Sequence, residues 1–293
     1  MNEIVDVESA RRGLLALAYR MLGSVADAED AVQETYLRWY RMPGAERSAI
    51  ENPAAWLTRV AGRVCLDLLG SARARREQYV GEWLPEPLPA RSPFSASAVQ
   101  GDPLDRVTLD ESVSMALLVV LESLTPAERV AFVMHDVFAV PFAEIAETVG
   151  RSTDAVRQLA SQGRRRVQQH RSRLATRAEH DAVVRSFLAA AATGELHALV
   201  ALLDPDVVLR SDGGGKRSAT RRPVLGADRV GRFLLGVPHL TPGIELQPTV
   251  MSEGIALLAT LEGRSDSVLS FVVADGRIAE IFVMRNPEKL TQW

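Results

Sequence analysis

The stretch PFAEIAETVGRSTDAVRQLA, residues 141–160, decides the reading of this 293-residue chain. Phe142, Ile145, Ala146 and Val149 recur three and four apart, which puts them on one inward face of a short helix. A four-residue turn comes next, Gly150-Arg151-Ser152-Thr153. Gly150 can take the left-handed conformation past a helix end, and Ser152 or Thr153 can cap the next helix. Val156, Leu159 and Ala160 then face back onto the first helix, and small residues at the crossing permit a steep angle. This is the pattern of a helix-turn-helix. Its second helix would present Asp154, Arg157 and Gln158 near its N-terminus, side chains able to reach base edges while helix-terminal N–H groups face phosphate.

The segment from the turn onward is strongly basic. Arg151, Arg157, Arg164, Arg165, Arg166, Arg171, Arg173 and Arg177 stand against the single acid Asp154. The plain alternative is a solvated arginine-rich helix, but its position directly after the helix-turn-helix favours binding to a DNA backbone. The whole-chain charge of −3, from 34 basic and 37 acidic residues, would by itself point away from nucleic acid. Charge is segregated along the chain, so the sum misleads.

Upstream the pattern is helical. Leu14, Leu17, Ala18, Met21 and Leu22, then Ala28, Val32, Tyr36 and Trp39, make two packed helices broken at Gly23-Ser24. Pro43-Gly44 and Asn52-Pro53 bracket a polar loop. Trp56, Leu57, Val60, Val64, Leu68 and Leu69 then line one face of a further helix. Trp39, Trp56, Cys65 and His135 sit in apolar helical surroundings and read as packing residues first. Between Val80 and Pro103 four prolines, Pro85, Pro87, Pro89 and Pro93, forbid a continuous helix or strand. The stretch is a linker, although residues 83–88 (WLPEPL) are too apolar for a mere spacer. Helical periodicity resumes to about Arg177, with Thr125 placed to cap a helix that starts at Pro126. The single cysteine excludes internal disulfides and thiolate zinc clusters and suits a reducing cytosol. No apolar run approaches the ~18 residues of a membrane span, and the acidic start at residues 1–8 is unlike a signal peptide, so a cytoplasmic protein is expected.

Taken together these segments resemble a known family. Residues 20–39 (RMLGSVADAEDAVQETYLRW) look like the second conserved region of bacterial sigma-70-type initiation factors, particularly the extracytoplasmic-function group. Residues 54–69 look like the helix after it, and residues 124–134 with the helix-turn-helix are similar to the fourth region. The resemblance implies core RNA polymerase and promoter DNA as partners. Asp27, Glu29, Asp30, Gln33, Glu34 and Leu37, on an acidic exposed stripe beside Val32 and Tyr36, would dock on polymerase. The loop from Met42 to Asn52 corresponds to the one that captures an unstacked base of the −10 element, with Arg41, Asn52, Trp56, Arg59 and Arg63 as its DNA-facing residues. Ser152, Thr153, Asp154, Arg157, Gln158, Arg164 and Arg165 would read the −35 element.

After His180 the pattern turns mixed. Helices are expected at 181–192, 195–203 and 227–235, and strands around 207–210, 244–251, 255–261, 268–273 and 278–284. Asp275-Gly276 marks a hairpin between the last two strands. This predicts an α+β domain with a curved antiparallel sheet, and its element order resembles the SnoaL-like branch of the NTF2-like cone, which has a pocket. Trp83, Leu84, Pro85, Glu86 and Pro87, then Asp212, Gly213, Gly214, Gly215 and Lys216, then Asn286, Pro287 and Lys289, look like the three signature segments of sigma factors with such an extension, the SigJ type. The only lysines of the chain, Lys216 and Lys289, fall in the last two. The glycine run permits positive φ and close backbone approach, while Asp212 and Lys216 could clamp a partner segment or a small polar ligand; the plain alternative is a flexible hairpin tip. It is not a phosphate-binding loop, since the glycine spacing is wrong and Arg217 follows the lysine.

The expected architecture is therefore two all-α sigma domains, the second with the helix-turn-helix, followed by an NTF2-like, SnoaL-like cone. Its boundaries are 1–79, an 80–107 linker, 108–177 and 178–293. The expected function is promoter-specific initiation with melting of the −10 element, regulated in cis by the extension, which would replace a separate anti-sigma protein. A monomer is expected when free, with no catalytic residues, no metal, no cofactor and no membrane partner; the pocket leaves room for an unknown small ligand. Two other readings stay open. One is a two-domain helix-turn-helix regulator that binds DNA without polymerase. The other is isomerase or cyclase activity in the extension, where His180, His197 and His239 are the available histidines and none pairs obviously with a strand carboxylate.

Overall fold

The computed structural model describes residues 9–77, 79–95, 114–171 and 175–293. These fall into two units, one of residues 9–77, 91–95 and 117–169, the other of 79–90, 114–116, 170–171 and 175–293. Linker residues 96–107 and Arg173 lie outside the described residues.

In the first unit, Gly23 ends α1 (Arg11–Leu22) in the left-handed conformation, φ 71°, and the Ser24 hydroxyl accepts from the Asp27 N–H to start α2 (Val25–Arg41). A short α3 (Gly44–Ser48) and a long α4 (Pro53–Glu77) come next. Helices α1, α2 and α4 pack around Leu17, Met21, Ala28, Trp39 and Leu57, all essentially inaccessible. Val32 belongs to this core, as its place in the apolar spacing predicts, with the acidic stripe beside it. Ala28, Val32, Thr35 and Trp39 recur at helical spacing, so they share the inward face of α2. Cys65 is also buried, and burial pushes its thiol pKa up.

Two arginines join this interior without any signal in the apolar spacing. Arg20 donates to the carbonyls of Ala16 and Phe94, at 2.9 and 3.3 Å. Arg129 donates to the Met21 carbonyl at 2.8 Å and pairs with Glu122 at 2.6 Å. Then come α5 (Met115–Glu122) and α6 (Pro126–Phe132), the latter opened by the predicted Thr125 cap, which Glu128 completes as a capping box. A π-turn at Val133–Val137 leads into α7 (Phe142–Val149) and α8 (Thr153–Arg171).

The second unit sets α9 (Arg177–Thr193), α10 (Leu196–Ala201) and α11 (Ala227–Leu240) with a six-stranded sheet. Its strands are β1 (Leu203–Asp212), β2 (Val224–Leu225), β3 (Ile244–Val250), β4 (Ile255–Leu261), β5 (Arg264–Ala274) and β6 (Arg277–Met284). The order is β2-β1-β6-β5-β4-β3. Strands β3 to β6 form an antiparallel meander, and Asp275 and Gly276 both take positive φ at the predicted hairpin. One pairing corrects the expected antiparallel sheet: β1 runs parallel to β6, with Leu209 opposite Ile281 and Asp212 opposite Met284. A strand's period of two is the same in either direction, so the hydrophobic pattern does not specify orientation. The consequence is that β1 and β6 end side by side.

Val184, Phe187, Leu199, Leu209, Val230 and Ile281 fill the space between helices and sheet. Ile281 is fully inaccessible on a central strand. Ile281→Ala should therefore cost about 2–5 kcal/mol, read as a lower urea midpoint for loss of the β-sheet circular dichroism signal. An unchanged midpoint would place this strand outside the cooperative core.

Candidate functional site

Three places in the structure gather side chains with chemical capacity: the helix-turn-helix with the α2 and α4 surfaces in the first unit, and a polar clamp and an apolar cavity in the second.

The helix-turn-helix is built as its sequence dictates. Gly150 closes α7 with φ 69°, and the Ser152 hydroxyl accepts from the Ala155 N–H at 3.3 Å to open α8. Ile145, Val156 and Ala160 make the buried crossing. Ser152, Asp154, Arg157, Gln158 and Arg165 are exposed, and Thr153 is half-buried. Arg157 pairs with Asp154 at 2.8 Å and lies 5.8 Å from the Phe142 ring centroid, while that ring stacks on His135. The arginine run does not present one uniform surface. Arg164 is tied to Asp136 at 2.7 Å, and Arg166 donates to the Ser123 carbonyl. Arg177 belongs to the second unit and donates to the Ser252 carbonyl.

On α2, Glu29, Asp30, Gln33 and Leu37 are exposed, and Asp27 and Glu34 are half-buried, Glu34 pairing with Arg38 at 2.9 Å. Tyr40, which the sequence pattern does not single out, is 59% exposed, stacks on Tyr36 and extends the apolar patch of Leu37. Asn52 serves as a helix cap, its Oδ1 accepting from the Ala55 N–H at the start of α4. Trp56 is half-buried against Trp39, 5.2 Å between centroids. Arg41 is exposed, whereas Arg59 and Arg63 reach α7: Arg59 pairs with Glu147 at 3.1 Å, and Arg63 donates to the Thr148 carbonyl at 3.0 Å. Gly62 lets α4 come this close, since a Cβ there would meet the Met134 sulfur at 2.7 Å.

The clamp centres on Asp212, at the end of β1 and inaccessible to solvent. Its Oδ1 accepts from the Tyr79 hydroxyl (2.7 Å) and the Gly214 N–H (2.9 Å), and its Oδ2 from the Leu84 N–H (3.0 Å) and Lys289 Nζ (2.7 Å). Lys289 also donates to the Leu84 carbonyl and sits 4.0 Å from the Trp83 ring centroid. Asn286 Nδ2 donates to the Tyr79 hydroxyl. Burial, then the neighbouring Asp212 carboxylate, pushes the Tyr79 phenol pKa up, so it stays a donor. The three motif segments singled out in the sequence thus converge. Leu84, Pro85, Glu86 and Pro87 are all buried, and the Pro87 carbonyl accepts from the Trp293 indole. Of the two residues flanking the glycine run, Asp212 enters the clamp and Lys216 does not: Lys216 lies half-exposed on the surface and pairs with Glu288, while Lys289 is the clamp's cation. The glycine run opens the long loop that joins β1 to its antiparallel partner β2. Gly213 and Gly214 are needed for space, since a Cβ would meet the Arg217 carbonyl oxygen or the Asn286 amide. Tyr79 had no signal in the sequence beyond its place before the apolar WLPEPL run.

Under α9 and α11 the sheet leaves a cavity of about 380 Å³, walled by residues such as Phe187, Phe233, Leu257 and Leu269. Its polar end holds Asp266 and Arg285, joined at 2.9 Å. Among the described residues no histidine lines it. His180 is buried elsewhere, bonded to the Phe271 carbonyl and beside Asp181, and His197 and His239 are exposed. Among the described residues no cluster of His, Cys, Asp and Glu is placed to hold a metal ion, and no helix is long and apolar enough to cross a membrane.

Comparison with known proteins fits this arrangement. Residues 7–75 match the Sigma-70 region 2 model and residues 114–167 the Sigma-70, region 4 model. The ECF RNA polymerase sigma factor SigJ of Mycobacterium tuberculosis is 41% identical over 99% of this chain and 93% of its own. This chain belongs to the extracytoplasmic-function sigma factors. The probable sigma factor SigI of the same species is 37% identical over 96% of this chain and 92% of its own. The crystal structure of Mycobacterium tuberculosis SigJ superposes with a TM-score of 0.77 at 37% identity, covering 99% of both chains. In this sigma factor, α1 to α4 are thus region 2 and α5 to α8 region 4, and the full-length matches take in the α+β extension as well.

Removing the cation of the clamp tests its assembly. Lys289→Met should leave the buried Asp212 carboxylate uncompensated, at a cost of about 3–5 kcal/mol, and expose the 79–90 segment. Chymotrypsin should then cut at Trp83 while the wild type resists; equal resistance would show that Lys289 does not hold the segment.

Proposed function

We propose that this sigma factor directs core polymerase to its promoters under control of its own extension, through capture of the segment that joins region 2 to region 4. The single observation that carries this reading is the clamp: residues 79–90 leave α4 and are bound by Asp212, Asn286 and Lys289 of the extension's unit. The −10 and −35 elements stand about 25 base pairs apart, or ~85 Å at 3.4 Å per pair. Twelve residues fully extended span at most ~40 Å. Holding them takes a third of the 36 residues that connect α4 to region 4 out of free use, which restrains the two DNA-binding regions from reaching their elements together.

Residue roles follow the same reading. Asp27, Glu29, Asp30, Gln33, Glu34 and Leu37, with Tyr40 beside them, suit the polymerase surface. Arg41, Asn52, Trp56, Arg59 and Arg63 serve the −10 element, and the contacts of Arg59 and Arg63 with α7 must break for them to do so. Arg157, Gln158 and Arg165 lead at the −35 element, supported by Ser152, Thr153, Asp154 and Arg164. The extension acts as a sensor whose cavity holds a small ligand, not as an enzyme, since the carboxylate at the cavity's polar end, Asp266, is already satisfied by Arg285. A cytoplasmic monomer that joins polymerase on demand completes the reading.

Transcription reconstituted with core polymerase is the test. The wild type should start from its own promoter only with polymerase present; tight promoter binding by the chain alone would favour the polymerase-independent regulator instead. Asp212→Ala should change promoter output severalfold, and unaltered output would remove the clamp from regulation. Arg165→Ala should weaken holoenzyme binding to all promoters alike and flatten the dependence of log K on log salt by about 1. A steepness equal to that of the wild type would take Arg165 off the phosphate backbone.

A further inference from the structure

From the chemistry of its walls, we infer that the cavity of the extension takes a neutral, largely hydrocarbon molecule carrying a single hydrogen-bond-accepting oxygen, such as a ketone or lactone. This rests on the reading of the extension as a ligand-holding sensor and specifies what it senses. The cavity's 380 Å³ falls within the range of small-molecule sites, and its walls, Phe187, Phe233 and Leu246 among them, are overwhelmingly apolar. Burial of such a hydrocarbon body supplies the affinity.

The polar end sets the charge. Asp266 is almost wholly inaccessible and accepts from Arg285 at both oxygens, Nη2 lying 2.9 Å from each and Nε 3.2 Å from Oδ2. The pair is bidentate and its charges cancel. A carboxylate entering here would have to give up its hydration with no uncompensated cation to receive it, and an ammonium would meet no uncompensated anion. An uncharged acceptor faces no such penalty. Arg285 Nη1 donates to the Ser218 carbonyl at 2.7 Å, and a guanidinium nitrogen of this kind carries a second hydrogen that can meet an oxygen.

The same end lies next to the clamp in the chain. Ser211 lines the cavity and precedes Asp212, while Arg285 precedes Asn286 and donates its backbone N–H to the Asp212 carbonyl at 2.7 Å. An occupant that bonds Arg285 therefore acts on the two strand ends that carry the clamp.

The experiment uses the full chain and Nile red, an uncharged fluorophore with a ring carbonyl, displaced by 2-undecanone or by undecanoate at about pH 7.5, where the acid is ionised. Saturable Nile red binding is expected, with 2-undecanone displacing it at roughly ten-fold lower concentration than undecanoate, a difference of about 1.4 kcal/mol. Asp266→Asn leaves Arg285 uncompensated and should improve undecanoate by roughly ten-fold, reversing the preference. Ala191→Trp, and independently Leu246→Trp at the half-exposed edge of β3, should abolish Nile red binding with circular dichroism unchanged. Absence of saturable binding to the wild type would overturn the sensor reading itself. Equal or better displacement by undecanoate would overturn the neutral class while leaving the site standing, and binding undisturbed in a folded tryptophan variant would overturn the assignment to this cavity.

Discussion

A carboxylate that is wholly withdrawn from water must find donors for both oxygens, and Asp212 finds four. Much of the second unit is arranged around that requirement. Two donors, Tyr79 and Leu84, come from a segment far away in sequence, and one comes from Lys289 beyond the last strand. The fourth is the Gly214 N–H, which the tight glycine turn after β1 aims back at the side chain. The proline-rich segment is held because its backbone supplies what the carboxylate lacks, and Lys289 reinforces the hold by donating to the Leu84 carbonyl.

This convergence depends on the direction of one strand pairing. Since β1 and β6 are parallel, Asp212 and Met284 are neighbours, and the residues that follow each strand emerge at the same end of the sheet. An antiparallel pair would have set the two motifs at opposite ends. The cavity's polar end is made by the same two strands, through Ser211 and Arg285. One topological choice therefore places the clamp and the cavity in reach of each other.

The sequence made some of this legible and concealed the rest for identifiable reasons. Helices of unit one are readable from three-and-four spacing, and Ser24, Thr125 and Gly150 mark their ends because capping needs those residue types locally. The three motif segments could be singled out, and the structure brings them together. Local rules did not reveal the burial of Arg20 and Arg129, whose partners are backbone carbonyls supplied by other elements. Nor did they separate the two lysines, since burial of Lys289 and exposure of Lys216 depend on tertiary placement. Arg59 and Arg63 meet α7 only through contacts some 85 residues away in sequence.

The clamp also imposes an order in time. Lys289 meets Leu84 across 205 positions of chain, and during synthesis at about 5–20 residues per second that interval lasts roughly 10–40 s. Residues 79–90 leave the ribosome long before their captor exists. Until then region 2 and region 4, whose own contacts are made within the first 170 residues, can fold with their connecting chain unrestrained. Each newly made molecule thus passes through an untethered youth before its extension closes on it.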